Sequence, residues 1–130
     1  MKQTLFIPLT FTASPTTIQN INVPFKVQNI HIKSFGYKAG TNGTTNYVVL
    51  VSDLVQNRPL CIMNQDTTYS SATVADIVHD FQNPTTIQGR FTFQLFNMDG
   101  TLGATSNSGA GTDRIGLIIE FHSEYNGDSV

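Results

Sequence analysis

Three histidines, one cysteine and nine carboxylates are the residues of this 130-residue chain best suited to chemistry. His122 follows Glu120 by two positions, so in an extended strand the two side chains share a face. Such a pair can orient an imidazole or contribute to a metal site. His79 and Asp80, with Asp76 nearby, form the densest polar cluster. If that segment is helical, Asp76 shares a face with His79 or Asp80, but the spacing offers no third metal ligand. His31 lies between Ile30 and Ile32, on the polar side of an alternating run, as a solvated or interface histidine. A hydrolytic triad needs a serine presented to such a base, and no Gly-x-Ser-x-Gly elbow is present.

The remaining candidates divide in the same way. Glycoside hydrolysis would need two of Asp53, Asp66, Asp76, Asp80, Asp99, Asp113, Glu120 and Glu124 to converge. Most of these sit at turn signals, where Asp serves the backbone. Asp99 and Asp113 flank a Gly-rich segment and could hold a structural Ca²⁺ with backbone carbonyls. Residues 100–111 carry no Lys and do not read as a phosphate cradle. Asn42-Gly43-Thr44 is a glycosylation sequon, relevant only on a secretory route. Tyr37, Tyr47, Tyr69 and Phe96 could supply a sugar-stacking platform, although the chain has no Trp. Cys61, between Leu60 and Ile62, reads as a small core residue, and a lone cysteine excludes an internal disulfide. The sequence therefore assigns no catalytic, cofactor-binding or metal-ligating residue, and a non-enzymatic role is expected.

The elements that must position these residues are nearly all strands. In Arg90-Phe91-Thr92-Phe93-Gln94-Leu95, apolar side chains alternate with polar ones, the pattern of a strand buried on one face. Asn97-Met98-Asp99-Gly100 ends that strand in a turn. At the start of the chain Leu5, Ile7, Leu9 and Phe11 alternate in the same way, which reads as a first strand rather than a signal segment. Pro8 predicts that this strand lies at a sheet edge or bulges there. Thr16 to Val23 is a short extended piece. Phe25 to Tyr37 follows, its apolar parity changing at Gln28-Asn29, which predicts a bulge in a long bent strand bridging a sandwich corner. Tyr47 to Val51 is apolar on both faces and belongs centrally in a sheet. Ser52 to Arg58 reads as a loop, and Pro59 to Met63 as a short strand. Val74, Ile77, Val78 and Phe81 have helical spacing in a β-branched segment, consistent with a strand or a helical turn. Arg114 to Phe121 is the last strand, with Ile115, Leu117, Ile119 and Phe121 on one face.

About eight strands with almost no helix predict an all-β antiparallel β-sandwich forming one domain over residues 1–130, with 123–130 a polar tail. An eight-stranded jelly roll is favoured over an immunoglobulin-like sandwich, whose antibody form has a Cys-Trp-Cys core that this chain lacks. The run Pro15-Thr16-Thr17-Ile18-Gln19 recurs at Pro84-Thr85-Thr86-Ile87-Gln88, either by coincidence or at equivalent corners of two Greek keys.

Composition narrows the function. Only 12% of residues are charged, the net charge is −2, and the seven Lys and Arg are scattered singly. That leaves no electrostatic footprint for nucleic acid. No apolar run approaches the ~20 residues of a membrane span. A surface poor in Lys and Glu suits a protein that packs against neighbours. Phe6, Phe96 and Ile118 fall on faces opposite the inferred core and are the candidate interface residues.

The eight short strands and the Asn/Thr/Gln-rich faces carry a family resemblance, as do the runs Tyr47-Val48-Val49-Leu50-Val51-Ser52-Asp53-Leu54 and Phe91-Thr92-Phe93-Gln94-Leu95-Phe96-Asn97. They resemble viral single jelly-roll capsid proteins: the minor capsid, penton or decorating proteins of large double-stranded DNA viruses and their satellites. The resemblance implies a structural protein of the virion, a homo-oligomer that also contacts other capsid proteins, with no cofactor. The alternative is a β-sandwich module that binds a carbohydrate or a receptor. A small hydrolase or lyase would need a His and a carboxylate converging in a pocket.

Overall fold

The computed structural model describes residues 1–9, 16–37, 47–64, 71–97 and 115–123. They form eight strands: β1 (Lys2–Leu9), β2 (Thr16–Asn22), β3 (Val27–Tyr37), β4 (Tyr47–Ser52), β5 (Arg58–Asn64), β6 (Ser71–Thr85), β7 (Gln88–Asn97) and β8 (Ile115–His122). Two four-stranded antiparallel sheets result, a first ordered β1-β8-β3-β6 and a second ordered β2-β7-β4-β5. This is the eight-stranded winding of a jelly roll, in which the chain passes back and forth between sheets. Buried side chains of both sheets form one core.

Alternation explains the burial. In β8, Ile115, Leu117, Ile119 and Phe121 are all inaccessible, and their neighbours face out. In β7, Phe93 and Leu95 are buried and Phe91 packs against them, while Arg90 is exposed. β7, β4 and β8 are interior strands, as their apolar content requires.

Pro8 lies on β1, an edge strand, opposite Gly116. Met1 and Ser123 exchange backbone hydrogen bonds just beyond β1, so odd-numbered residues face β8. Pro8 is even-numbered, and its missing N–H costs no ladder bond. Its outward carbonyl accepts a hydrogen bond from Gln19 Nε2 at 3.2 Å. On the opposite side of the sandwich His79 Nε2 donates to the Leu60 carbonyl at 3.1 Å. Among the described residues, each seam between the two sheets is thus laced by a side-chain-to-carbonyl bond.

An irregularity lies where the sequence predicts a bulge at Gln28-Asn29, since the pairing of β3 with β6 shifts between Val27 and Asn29, but the extra residues are on β6, which takes five steps from Asp80 to Thr85 while β3 takes two. A second shift between Ile32 and Ser34, with Lys33 as the extra residue relative to β8, brings Phe35 back to the core after Ile30 and Ile32. β3 nevertheless stays in the first sheet throughout, so it does not bridge a corner. The ambiguous segment Val74 to Phe81 is strand, inside the fifteen-residue β6. Its helix-like spacing arises because β6 takes three steps from Ile77 to Val74 while β3 takes two from Ile32 to Ser34. In β5 a shift between its partners Leu50 and Val51 leaves two consecutive residues, Leu60 and Cys61, both buried.

The segment read as a loop after Ser52 contains a 3-10 turn at Asp53–Val55 that buries Leu54 and Val55. Ser52, itself buried, accepts a hydrogen bond from the Leu54 N–H at 3.0 Å. Gln56 and Asn57 then adopt left-handed backbone (φ 62° and 59°) to return the chain into β5. Asp53 Oδ1 accepts from the Thr92 N–H at 2.8 Å, ending the β7 ladder where β4 stops. Replacing Ser52 with Ala removes the cap, and the expected loss is about 1 kcal/mol, read as a lowered denaturation midpoint with unchanged slope.

Of the Pro-Thr-Thr-Ile-Gln repeat, Thr16 to Gln19 of the first copy open β2, Pro15 lies outside the described residues, and the second copy spans the passage from β6 in the first sheet to β7 in the second. The sequon at Asn42, the Asp99–Asp113 calcium candidate, the turn at Met98 to Gly100, Phe11, Tyr69 and residues 124–130 lie outside the described residues.

Candidate functional site: two imidazole–carboxylate pairs on the outer face of the first sheet

Four strands bring polar residues together on the outward face of the first sheet. Register places His31 beside Glu120 on β8 and Val78 on β6, and His122 beside Asn29 on β3 and Lys2 on β1. The His31 and His122 rings stack with centroids 4.0 Å apart and planes tilted by 30°. His31 Nδ1 lies 2.8 Å from Asp76 Oδ1, and its Nε2 lies 3.0 Å from Asn29 Oδ1. His122 Nε2 lies 3.0 Å from Glu120 Oε1. Lys33 Nζ approaches Asp76 at 3.6 Å and Lys2 Nζ approaches Glu120 at 3.9 Å. Each imidazole therefore has its own carboxylate, and each carboxylate has an ammonium behind it.

This neighbourhood stabilises both carboxylates. The hydrogen bond from His31, opposed by partial desolvation and helped by Lys33, lowers the Asp76 pKa from its ordinary 3.8. Desolvation is the largest influence on Glu120 and acts upward, but the hydrogen bond with His122 and the charges of Lys2 and Lys33 together outweigh it. The net effect is a pKa below the ordinary 4.5. Depressed carboxyl pKa values contribute stability that is present above the unfolded-state values and lost as pH falls through the folded-state ones. The denaturation midpoint is therefore expected to fall below about pH 4.5, with a shallower fall in a chain carrying Asp76→Asn and Glu120→Gln. Equal acid limbs in the two chains would refute the assignment.

The sequence pairing of His122 with Glu120 is found, and His31 is on the polar face as expected. The cluster of Asp76, His79 and Asp80 is not one cluster. In a strand Asp76 and Asp80 face outward while His79 turns inward to Leu60. The approach of His31 to His122 was missed, because it depends on β3 lying against β8. No group of three His, Cys, Asp or Glu among the described residues could hold a metal ion. Tyr37 lies in the first sheet, and Tyr47 and Phe96 lie in the second.

Two of the candidate interface residues meet. Phe6 pairs directly with Ile118 on the same outward face as the histidines, at 66% and 39% exposure, with Val78 also exposed there. The Phe6 ring edge lies over Gly116, where an added Cβ would come within 3.3 Å of it. Phe96 is half-buried on the other sheet, in a row with Val49 and the exposed Ile62. The three residues therefore define two opposite faces rather than one patch.

Cys61 is free and buried, and burial pushes its thiol up to about 12. It is expected to resist a thiol-reactive dye in the native chain and to react fully in denaturant. Rapid native labelling would contradict its place in the core.

The fold defines an eight-stranded jelly-roll sandwich whose outer faces carry apolar side chains and paired charges. No protein-family model and no curated protein matches the chain. Among solved structures it is similar to a chain described under "Bacillus endospore appendages form a novel family of disulfide-linked pili". The identity is 13%, over 93% of this chain and 83% of that one, with a TM-score of 0.34.

Proposed function

We propose that the chain is a non-enzymatic structural protein that associates with copies of itself, in the manner of single jelly-roll capsid or capsid-decorating proteins. The observation that carries this reading is the exposure of large apolar side chains on both outer faces: Phe6, Ile118 and Val78 on one, Ile18 and Ile62 on the other. With only 12% charged residues overall, neighbouring copies meet little repulsion. The placement in a virion rests on the resemblance in fold and sequence style, which is an analogy of architecture. Phe6 and Ile118 are the residues proposed to be buried between copies on the first sheet, and Phe96 on the second.

Light scattering across a dilution series tests the reading. A discrete oligomer that persists on dilution is expected, and electron microscopy then gives its symmetry. A monomer at every concentration overturns intrinsic self-association.

A further inference from the structure

Among the described residues the sandwich has four edge strands: β1 and β6 in the first sheet, β2 and β5 in the second. An exposed edge presents unpaired backbone donors and acceptors, and proteins blunt such edges with charge, proline or bulges. Three of the four are blunted. β1 carries Lys2 and Pro8, and its Pro8 carbonyl is occupied by Gln19. β5 carries Arg58, Pro59 and a register shift. β6 carries Asp76, Asp80, Pro84 and two register shifts. β2, Thr-Thr-Ile-Gln-Asn-Ile-Asn, has no charge, no proline and an unbroken register against β7.

The outward groups can be assigned. Val23 donates its N–H to the Ile87 carbonyl, continuing the β2–β7 register, so odd-numbered residues face β7. Ile18 and Asn20 consequently turn their N–H and C=O groups away from the sheet. Their side chains lie on the outer face, where Ile18 is 50% exposed.

We propose that the β2 edge is a pairing surface for β2 of a second copy of this chain, antiparallel across a two-fold axis, joining two second sheets into one of eight strands. The proposal rests on the self-association reading above and specifies its contact. A row of amides and carbonyls is met by another extended backbone, which identifies the partner as a strand. An antiparallel strand pair is self-complementary, and uncharged β2 segments bring no like charges together. Such pairing also places the Ile18 side chains of both copies on one continuous outer face beside Thr92 of β7.

The test uses the whole chain and two edge variants. Asn20→Pro removes one outward donor and leaves the β7 ladder intact, as Pro8 does on β1. Ile18→Lys adds the kind of charge the other edges carry. Each variant is expected to weaken association by about tenfold or more while its circular dichroism stays that of the parent. In the parent oligomer the Ile18 and Asn20 amides exchange with solvent more slowly than in the diluted chain. An oligomer indifferent to both edge variants, or unprotected at these amides, overturns the β2 contact and leaves self-association standing. A chain monomeric at all concentrations overturns both.

Discussion

Phe93→Ala is expected to remove about 3–5 kcal/mol of stability, the range for truncating a buried aromatic. Phe93 is fully inaccessible on β7, an interior strand, and it lies between β2 and β4 in the register, opposite Thr17 and Ser52. The loss has two parts. The ring's apolar surface returns to water in the unfolded reference, and the cavity left behind cannot collapse because the strands on either side hold their spacing. Domains of this size are stable by only about 5–15 kcal/mol, so the variant loses a large share of its stability. A denaturant titration measures the effect. Arg90→Ala, on the exposed side of the same strand, should shift the midpoint by no more than about 0.5 kcal/mol. If the two variants behaved alike, the inward face of β7 would be assigned wrongly.

Deleting His31 from β3 should be comparably damaging, whereas deleting Lys33 from the same strand should be far milder. Lys33 differs from His31 in its pairing. It is the residue of β3 that has no counterpart on β8 between Ile119 and Ile118. Ile30 and Ile32 point inward with even numbers, and Phe35 points inward with an odd one. Removing Lys33 restores simple alternation with Phe35 still inward and opposite Leu117, whereas removing His31 from the regular stretch makes Ile30 and Ile32 consecutive and turns one of them to the solvent face. Burial of an Ile is worth about 1.5–3 kcal/mol, and the mismatched ladders on both sides add to the loss in the His31 deletion. Lys33→Ala keeps the residue count and loses only its contact with Asp76 at 3.6 Å, a surface pair worth little. The comparison of the two deletions, by denaturant midpoint, isolates the bulge. A Lys33 deletion as damaging as the His31 deletion would mean that the extra residue of β3 is not at this position.

These two experiments also mark how far the sequence could be read. Strict alternation in β7 and β8 made their buried residues legible one by one, because period two in a one-sided strand leaves little choice. The parity change in β3 announced its first irregularity, although the extra residues there are on β6. The second was hidden, since Ser34, Phe35 and Gly36 are too few to define a new phase. β6 looked half-helical for the same reason: one extra step between Val74 and Ile77 turns a spacing of two into three. The 3-10 turn after Ser52 is indistinguishable from loop in the sequence because three residues carry no period.

The histidine cluster was least legible. Glu120 and His122 are neighbours in sequence, but Asp76, His31 and Lys2 join them only through the order β1-β8-β3-β6. Nothing within a single strand specifies that order. Phe6 and Ile118 were recognised separately as outward apolar residues. Their direct pairing, and the placement of Phe96 on the opposite sheet, again required the topology.

The position of β8 between β1 and β3 has a consequence for synthesis on the ribosome. The nascent chain emerges from its N-terminus, so the strand that joins β1 to the rest of its sheet is the last to appear. At roughly 5–20 residues per second, some 5–20 s separate the emergence of β1 from that of β8. During that interval β1 has no neighbour, and β3 can pair only with β6. The second sheet, by contrast, has all four of its strands once β7 is out. Co-translational folding of this chain should begin with the sheet that contains β7, and the sheet that bears the histidines should close last.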